Sequence, residues 1–264
     1  MNTQITKYKG SKICFSDEGT GKCLVLVHGF TESLDIWTDF SSVLKEEFRV
    51  VCIDLPGHGN SDCIDEIHSM ELMAEVIKYV LDQLNITKCA MLGHSMGGYV
   101  SLAFADKYPD MLNGLCLFHS TAFADPPEAR YNREKTIEYV RHHHTAFLSA
   151  FIPDLFAPAS REKFAEAIEK LVESTRNMTS ESIIAAQRGM MERPDRSHVL
   201  ASSTYPVLFM LGKLDSRIPY DQALLQVALP QDAVLLSMGE VGHMGYIEAR
   251  DKTLYALRVF MEGL

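Results

Sequence analysis

The stretch Ala90-Met91-Leu92-Gly93-His94-Ser95-Met96-Gly97-Gly98-Tyr99-Val100 sets a serine among glycines, at the point where an apolar run gives way to a helical pattern. The apolar run stops at Gly93, and Tyr99, Leu102, Ala103 and Ala105 follow at helical spacing. That order predicts a strand, a sharp turn and a helix. A serine at such a turn is either an ordinary helix cap or a hydroxyl held out on a strained corner. Side chains two positions away on either side would crowd the corner, and both positions, 93 and 97, are glycine. The helix that follows aims its first amides at the same spot, which favours developing negative charge.

The rest of the chain repeats the alternation. Short, continuously apolar runs occur at 22–27, 48–54, 88–92, 113–118, 205–211 and 233–237. Runs of this kind, without polar alternation, suit strands covered on both faces, so a largely parallel sheet is expected. Leu72, Met73, Val76, Ile77, Val80, Leu81 and Leu84 form one helical face between two of them, and Thr253 to Phe260 suggests an amphipathic last helix. The expected fold is α/β, a doubly wound sheet. The alternation fails between Thr121 and Ser203, where helical patterns dominate, notably 134–151 and 161–175. The predicted organisation is a core of residues 1–120 and 204–264 with a helical cap, 121–203, inserted between strands.

The 264 residues are 47% hydrophobic and 23% charged, which is ordinary for a soluble globular chain. A net charge of −10 argues against nucleic acid or an anionic membrane as partner. No apolar segment follows the first lysines, and no run is long enough to span a bilayer, so a cytoplasmic location is expected. None of the six cysteines forms a C-x-x-C pair, and most sit in apolar runs as small hydrophobes. A monomer or homodimer acting on a small molecule is expected.

A serine hydroxyl attacks a carbonyl only with a base beside it and a group that orients the base. Two further strand ends supply such groups. Leu211-Gly212-Lys213-Leu214-Asp215 places an acid after an apolar strand, and Gly242-His243-Met244-Gly245 places a histidine in a glycine-flanked loop before the last helix. Ser95, Asp215 and His243 therefore form a candidate triad, in that chain order. The backbone amides of Met96 and of Phe30, the latter in His28-Gly29-Phe30, are the candidate oxyanion donors. This chemistry needs no metal and no organic cofactor.

On these residues, together with Asp54-Leu55-Pro56-Gly57-His58-Gly59-Asn60-Ser61, the chain resembles the α/β-hydrolase superfamily over essentially its whole length. The resemblance implies a serine triad, a helical cap over the site and a structural role for the 54–61 turn. It implies a hydrolase for a small carboxylic ester, thioester or lactone, with the cap aromatics favouring an apolar pocket. The same triad serves carbon–carbon hydrolases, lyases of menaquinone-type biosynthesis and peroxide-using relatives, and some relatives are small-molecule receptors. Epoxide hydrolases and haloalkane dehalogenases are disfavoured, because they need an aspartate where Ser95 stands.

His119, Phe123, Phe147 and Phe151 are the candidate substrate-binding residues. Asp221 and Asp232 are fallback acids and His198 a fallback base. His58 and His94 are assigned packing or hydrogen-bonding roles. His142-His143-His144 is no metal motif, since consecutive helical residues splay about 100° apart. Arg130, Arg133 and Arg141 are either solvated or anion-binding.

Overall fold

Alternate residues of each central strand enter different cores, which is why those strands carry no polar face. A computed structural model describes residues 1–264. Val25, Val27, Val51 and Ile53 face one hydrophobic cluster, while Leu24, Leu26, Val50 and Cys52 face another. The strands are β1 (Thr3–Tyr8), β2 (Ser11–Glu18), β3 (Cys23–Val27), β4 (Arg49–Ile53), β5 (Cys89–His94), β6 (Leu112–Phe118), β7 (Val207–Gly212) and β8 (Ala233–Met238). They form one sheet in the order β1-β2-β4-β3-β5-β6-β7-β8. Pairing is parallel from β4 to β8 and antiparallel only where β2 meets β1 and β4.

The helices are α1 (Thr38–Leu44), α2 (Met70–Gln83), α3 (Met96–Lys107), α4 (Pro127–Phe151), α5 (Ala165–Ser174), α6 (Ser180–Glu192), α7 (Ser197–Ala201), α8 (Tyr220–Leu225), α9 (Gly245–Glu248) and α10 (Arg250–Glu262). Helices α2 and α3 bury Met73, Val76, Ile77, Val80, Val100 and Phe104 against the first cluster. Helices α1 and α10 bury Phe40, Leu44, Leu254 and Leu257 against the second. Each such side chain contributes roughly 1.5–3 kcal/mol by leaving water. No helix is long and apolar enough to cross a membrane.

The six expected strands are present, within two residues at their ends. The N-terminal hairpin β1–β2 is additional. β1 is mostly exposed and reads Thr-Gln-Ile-Thr-Lys-Tyr, so it lacks the continuous apolar signature of the buried strands. The segment between β6 and β7 contains only helical elements, α4 to α7. Its two ends are tied: Arg193 Nη1 lies 2.7 Å from Asp125 Oδ1, and Arg133 Nε donates to Asp125 Oδ2 at 2.5 Å. His143 breaks α4 with non-helical dihedrals (φ −139°, ψ 33°), so the three consecutive histidines lie at a kink.

The chain leaves β3 for β4 on one side, then returns to place β5 on the other. Crevices at the carboxyl ends of strands open at such a reversal of strand order. Val27 and Gly93 are register partners there, which sets the loop after β3 beside the turn after β5.

Candidate active site

Ser95 occupies the turn between β5 and α3 with φ 51° and ψ −117°, a region that costs a non-glycine residue on the order of 1–3 kcal/mol. The strain is held by its surroundings. Ser95 N donates to Phe118 O (2.9 Å), and Ser95 O accepts from Gly98 N (2.9 Å) and Ser120 Oγ (2.8 Å). Glycine at 97 is obligatory for a local reason. A Cβ there would lie 2.6 Å from His28 O and closer still to Val27 O, both backbone atoms of the adjoining strand end.

His243 and Asp215 arrive from the ends of β8 and β7. His243 Nδ1 is 2.9 Å from both Asp215 carboxylate oxygens, so Nδ1 carries the proton and Nε2 is left as the basic nitrogen. Ser95 Oγ makes no hydrogen bond within the protein, and it lines one cavity together with His243. The His243 loop is clamped on both sides. Glu248 Oε2 accepts from Gly242 N (3.0 Å) and Met244 N (3.2 Å), and His243 N donates to Leu155 O (2.7 Å). Asp215 is further fixed by the amides of Arg217 (2.8 Å) and Ile218 (2.9 Å).

A second imidazole binds the same carboxylate. His119, at the end of β6, points Nδ1 at Asp215 Oδ2 (2.9 Å) and is wholly buried. It too sits at positive φ, 49°. Burial lowers its pKa despite the neighbouring carboxylate, so the ring is neutral and donates from Nδ1. Burial by itself raises the Asp215 pKa, yet His243 and His119 together hold it far below the usual carboxylate range.

A buried network joins the loops around Ser95. Glu32 accepts from Gly29 N (2.5 Å), from His94 Nδ1 (2.9 Å) and, through its other oxygen, from Tyr246 OH (3.0 Å). His94 Nε2 donates to His243 O (2.9 Å), so the ring has an acceptor at each nitrogen. Burial opposes ionisation of both partners. Their mutual attraction outweighs it, lowering the Glu32 pKa and raising that of His94. The loop after β3, the Ser95 turn and the His243 loop are thereby one hydrogen-bonded unit. Phe30 N has no acceptor within the protein, and Met96 is the first residue of α3, where amides lack an intrahelical acceptor.

The cavity above Ser95 holds about 290 Å³. Phe30, Phe147, Phe151, Leu155 and Met190 form its apolar part, and Asn132, Arg133, Thr136, Gln187 and Arg217 a polar part. The expected apolar pocket is therefore only half apolar. Phe147 and Phe151 line it, as the sequence suggests, stacked on each other at 5.1 Å. His119 and Phe123 do not. His119 lies behind Asp215, with Gly245 packed on its ring, and Phe123 instead offers its carbonyl to Arg193 (3.2 Å). The fallback acids Asp221 and Asp232 make no contact with His243, and His198 pairs with Asp106 at 3.1 Å. Asp54 is structural, as expected: its oxygens accept from Leu34 N and Asn60 N (both 2.8 Å).

His119, Asp215 and His243 also place potential metal-ligating atoms within 4.8 Å of one another. Both imidazoles direct Nδ1 at the carboxylate at 2.9 Å, which is the geometry of a hydrogen-bonded triplet. Glu32, Glu248 and Arg217 escape sequence reading because they belong to no triad-like pattern; only their closeness to glycine-rich turns marks them.

The profile of the alpha/beta hydrolase fold family matches residues 22–250, and the chain belongs to that family. It is similar to a thermophilic esterase from Thermogutta terrifontis, solved with malate bound (TM-score 0.92, 32% identity, 100% of this chain and 99% of that one). Over 260 residues it is 28% identical to a 2-hydroxy-6-oxononadienedioate/2-hydroxy-6-oxononatrienedioate hydrolase of Escherichia coli K12, covering 92% of this chain and 88% of that protein. It is also 30% identical to the dihydrolipoyllysine-residue acetyltransferase component of an acetoin cleaving system of Pseudomonas putida, spanning 91% of this chain but only 64% of that protein.

Proposed function

We propose that the chain is a serine hydrolase that cleaves a small carboxylic ester through an acyl-enzyme. Ser95 Oγ bonds to the carbonyl carbon while His243 Nε2 takes its proton, and Asp215 holds the imidazole in the required tautomer. The amides of Phe30 and Met96 receive the oxyanion, each donor being worth roughly 3 kcal/mol. The C–O bond then breaks, the leaving alcohol takes the proton from His243, and water activated by the same nitrogen releases the acid. The 121–203 segment acts as the cap, excluding solvent through Phe147 and Phe151. The observation that carries this reading is a strained Ser95 on the floor of a cavity shared with a histidine whose other nitrogen is bound to a buried, ionised aspartate.

The test compares wild type with Ser95→Ala and His243→Ala on p-nitrophenyl acetate, butyrate and octanoate. Turnover lost in both variants supports the reading, and equal inactivity of all three proteins overturns it for esters. A carbon–carbon hydrolase acting on a vinylogous diketone is the second reading, favoured by the similarity to the nonadienedioate hydrolases. It predicts cleavage of such a diketone faster than of any p-nitrophenyl ester.

A further inference from the structure

The cavity contains an unpaired positive charge in a protein with ten more acidic than basic side chains. Every arginine other than Arg130 and Arg217 is ion-paired, and Arg130 is not on the cavity. Arg217, exposed at the edge of the cavity, has no carboxylate partner and its guanidinium makes no hydrogen bond within the protein; it sits over the Phe151 ring, 4.6 Å from the centroid. Its backbone amide is tied to Asp215, so the side chain starts two residues from the catalytic acid and is fixed in register with it. Arg133 completes the same wall. It uses Nε on Asp125 and Nη1 on Gln187 (3.0 Å), leaving Nη2 without an acceptor.

The acids nearby are already occupied. Glu32, the acidic residue lining the cavity, is satisfied by Gly29, His94 and Tyr246. Asp154 faces Arg161 (3.0 Å), and Asp215 is taken by two imidazoles and two amides. Desolvation of the Arg217 guanidinium outweighs the pull of Asp154 and Asp215, neither of which pairs with it directly, and with repulsion from Arg133 its pKa is lowered. A planar guanidinium left in this state matches a carboxylate, which it binds through two parallel N–H groups.

We propose that Arg217, with Nη2 of Arg133, is a carboxylate-binding subsite, and that the ester cleaved at Ser95 carries a free carboxylate remote from the scissile bond. The substrate class is the half-ester of a short dicarboxylic acid, or an equivalent small anionic ester. The inference rests on the hydrolase reading above and adds a charge requirement to it. The cavity volume of about 290 Å³ limits the chain between the two groups to a few carbons.

The test measures kcat/KM for monoethyl adipate and ethyl hexanoate, which differ mainly in the terminal carboxylate, by titrating released acid. The variants are Arg217→Met, which keeps an apolar stem over Phe151, and Arg217→Lys, which keeps a point charge. The expected result is a wild-type preference for the half-ester, with the ratio of the two kcat/KM values falling about 10- to 100-fold in Arg217→Met, chiefly through KM. Arg217→Lys should fall between. A ratio unchanged in Arg217→Met overturns the subsite while Ser95-dependent turnover leaves the hydrolase reading standing. If neither ester is turned over, the ester reading fails on its own, and calorimetry decides the subsite. Monoethyl adipate should bind Ser95→Ala more tightly than Ser95→Ala/Arg217→Met, and equal binding overturns the proposal.

Discussion

His119 and His243 donate to one carboxylate, Asp215, from the ends of β6 and β8, the strands on either side of β7, with their rings 5.7 Å apart. Asp215 thus has four donors, two imidazoles and two amides, and cannot rotate without losing several. His119 is then a positioning residue: it touches the acid, not the cavity.

Removing His119 should loosen that acid. His119→Ala is expected to cost about 1.5–3 kcal/mol, the scale of a hydrogen bond to a charged group. It should also lower kcat about tenfold with little change in KM. His119→Asn should recover part of both, because asparagine tolerates positive φ and still donates. Urea denaturation and steady-state kinetics on p-nitrophenyl butyrate check this. Equal losses in the two variants would count against a positioning role.

Ser95→Ala, His243→Ala and Asp215→Asn should each lower kcat by about 10⁴-fold or more, with melting temperatures near wild type for the first two. The losses should not add, since the three groups act as a unit. A Ser95→Ala protein that retains full activity would remove Ser95 from the chemistry.

The Ser95 corner and the end of β3 are in backbone contact, with no side chain between them that could yield. Gly97→Ala should therefore destabilise the protein by about 1–3 kcal/mol through overpacking. Any displacement opens the gap between Phe30 N and Ser95, so kcat should fall with stability. Thermal unfolding and kinetics of the purified variant provide the check.

The Glu32–His94 pair should give stability a pH dependence. Glu32 has a lowered pKa, so its contribution is present above its ordinary value of 4.5 and is lost as pH falls below it. His94 has a raised pKa, so its contribution is present below 6.5 and is lost as pH rises through the raised value. The pair therefore stabilises most between about pH 4.5 and 6.5. Glu32→Gln should destabilise throughout and flatten this dependence, measured as the denaturation midpoint across pH 4–8.

Asp125 binds Arg133 near the start of the helical segment and Arg193 near its end. Asp125→Asn leaves two guanidinium groups short of a counter-charge, an effect of about 3–5 kcal/mol when a buried pair is broken. Hydrogen exchange in α4 and α6 should rise ahead of exchange in β3 and β5. Uniform acceleration across the chain would show that the segment and the sheet unfold together.

Much of this was legible in local pattern. The buried strands, the glycines around Ser95 and the order Ser95, Asp215, His243 follow from steric and hydrophobic rules that act within a few residues of each position. β1 was not, because an exposed edge strand carries no continuous apolar run. His119 reads as a lining residue at the end of β6. Its turn away from the cavity follows from the positive φ at that position and from Asp215 across the neighbouring strand, 96 residues on.

The linear chain determines the buried strands, the turns and the residues proposed as the triad, since each rests on its own side chain and near neighbours. The folded chain alone decides which charges meet. Glu32 finds His94 across 62 residues and Arg193 finds Asp125 across the helical segment, while Arg217 is left over the Phe151 ring with no partner. Pairing energies of this kind depend on distance and desolvation in three dimensions, quantities that composition and spacing do not contain.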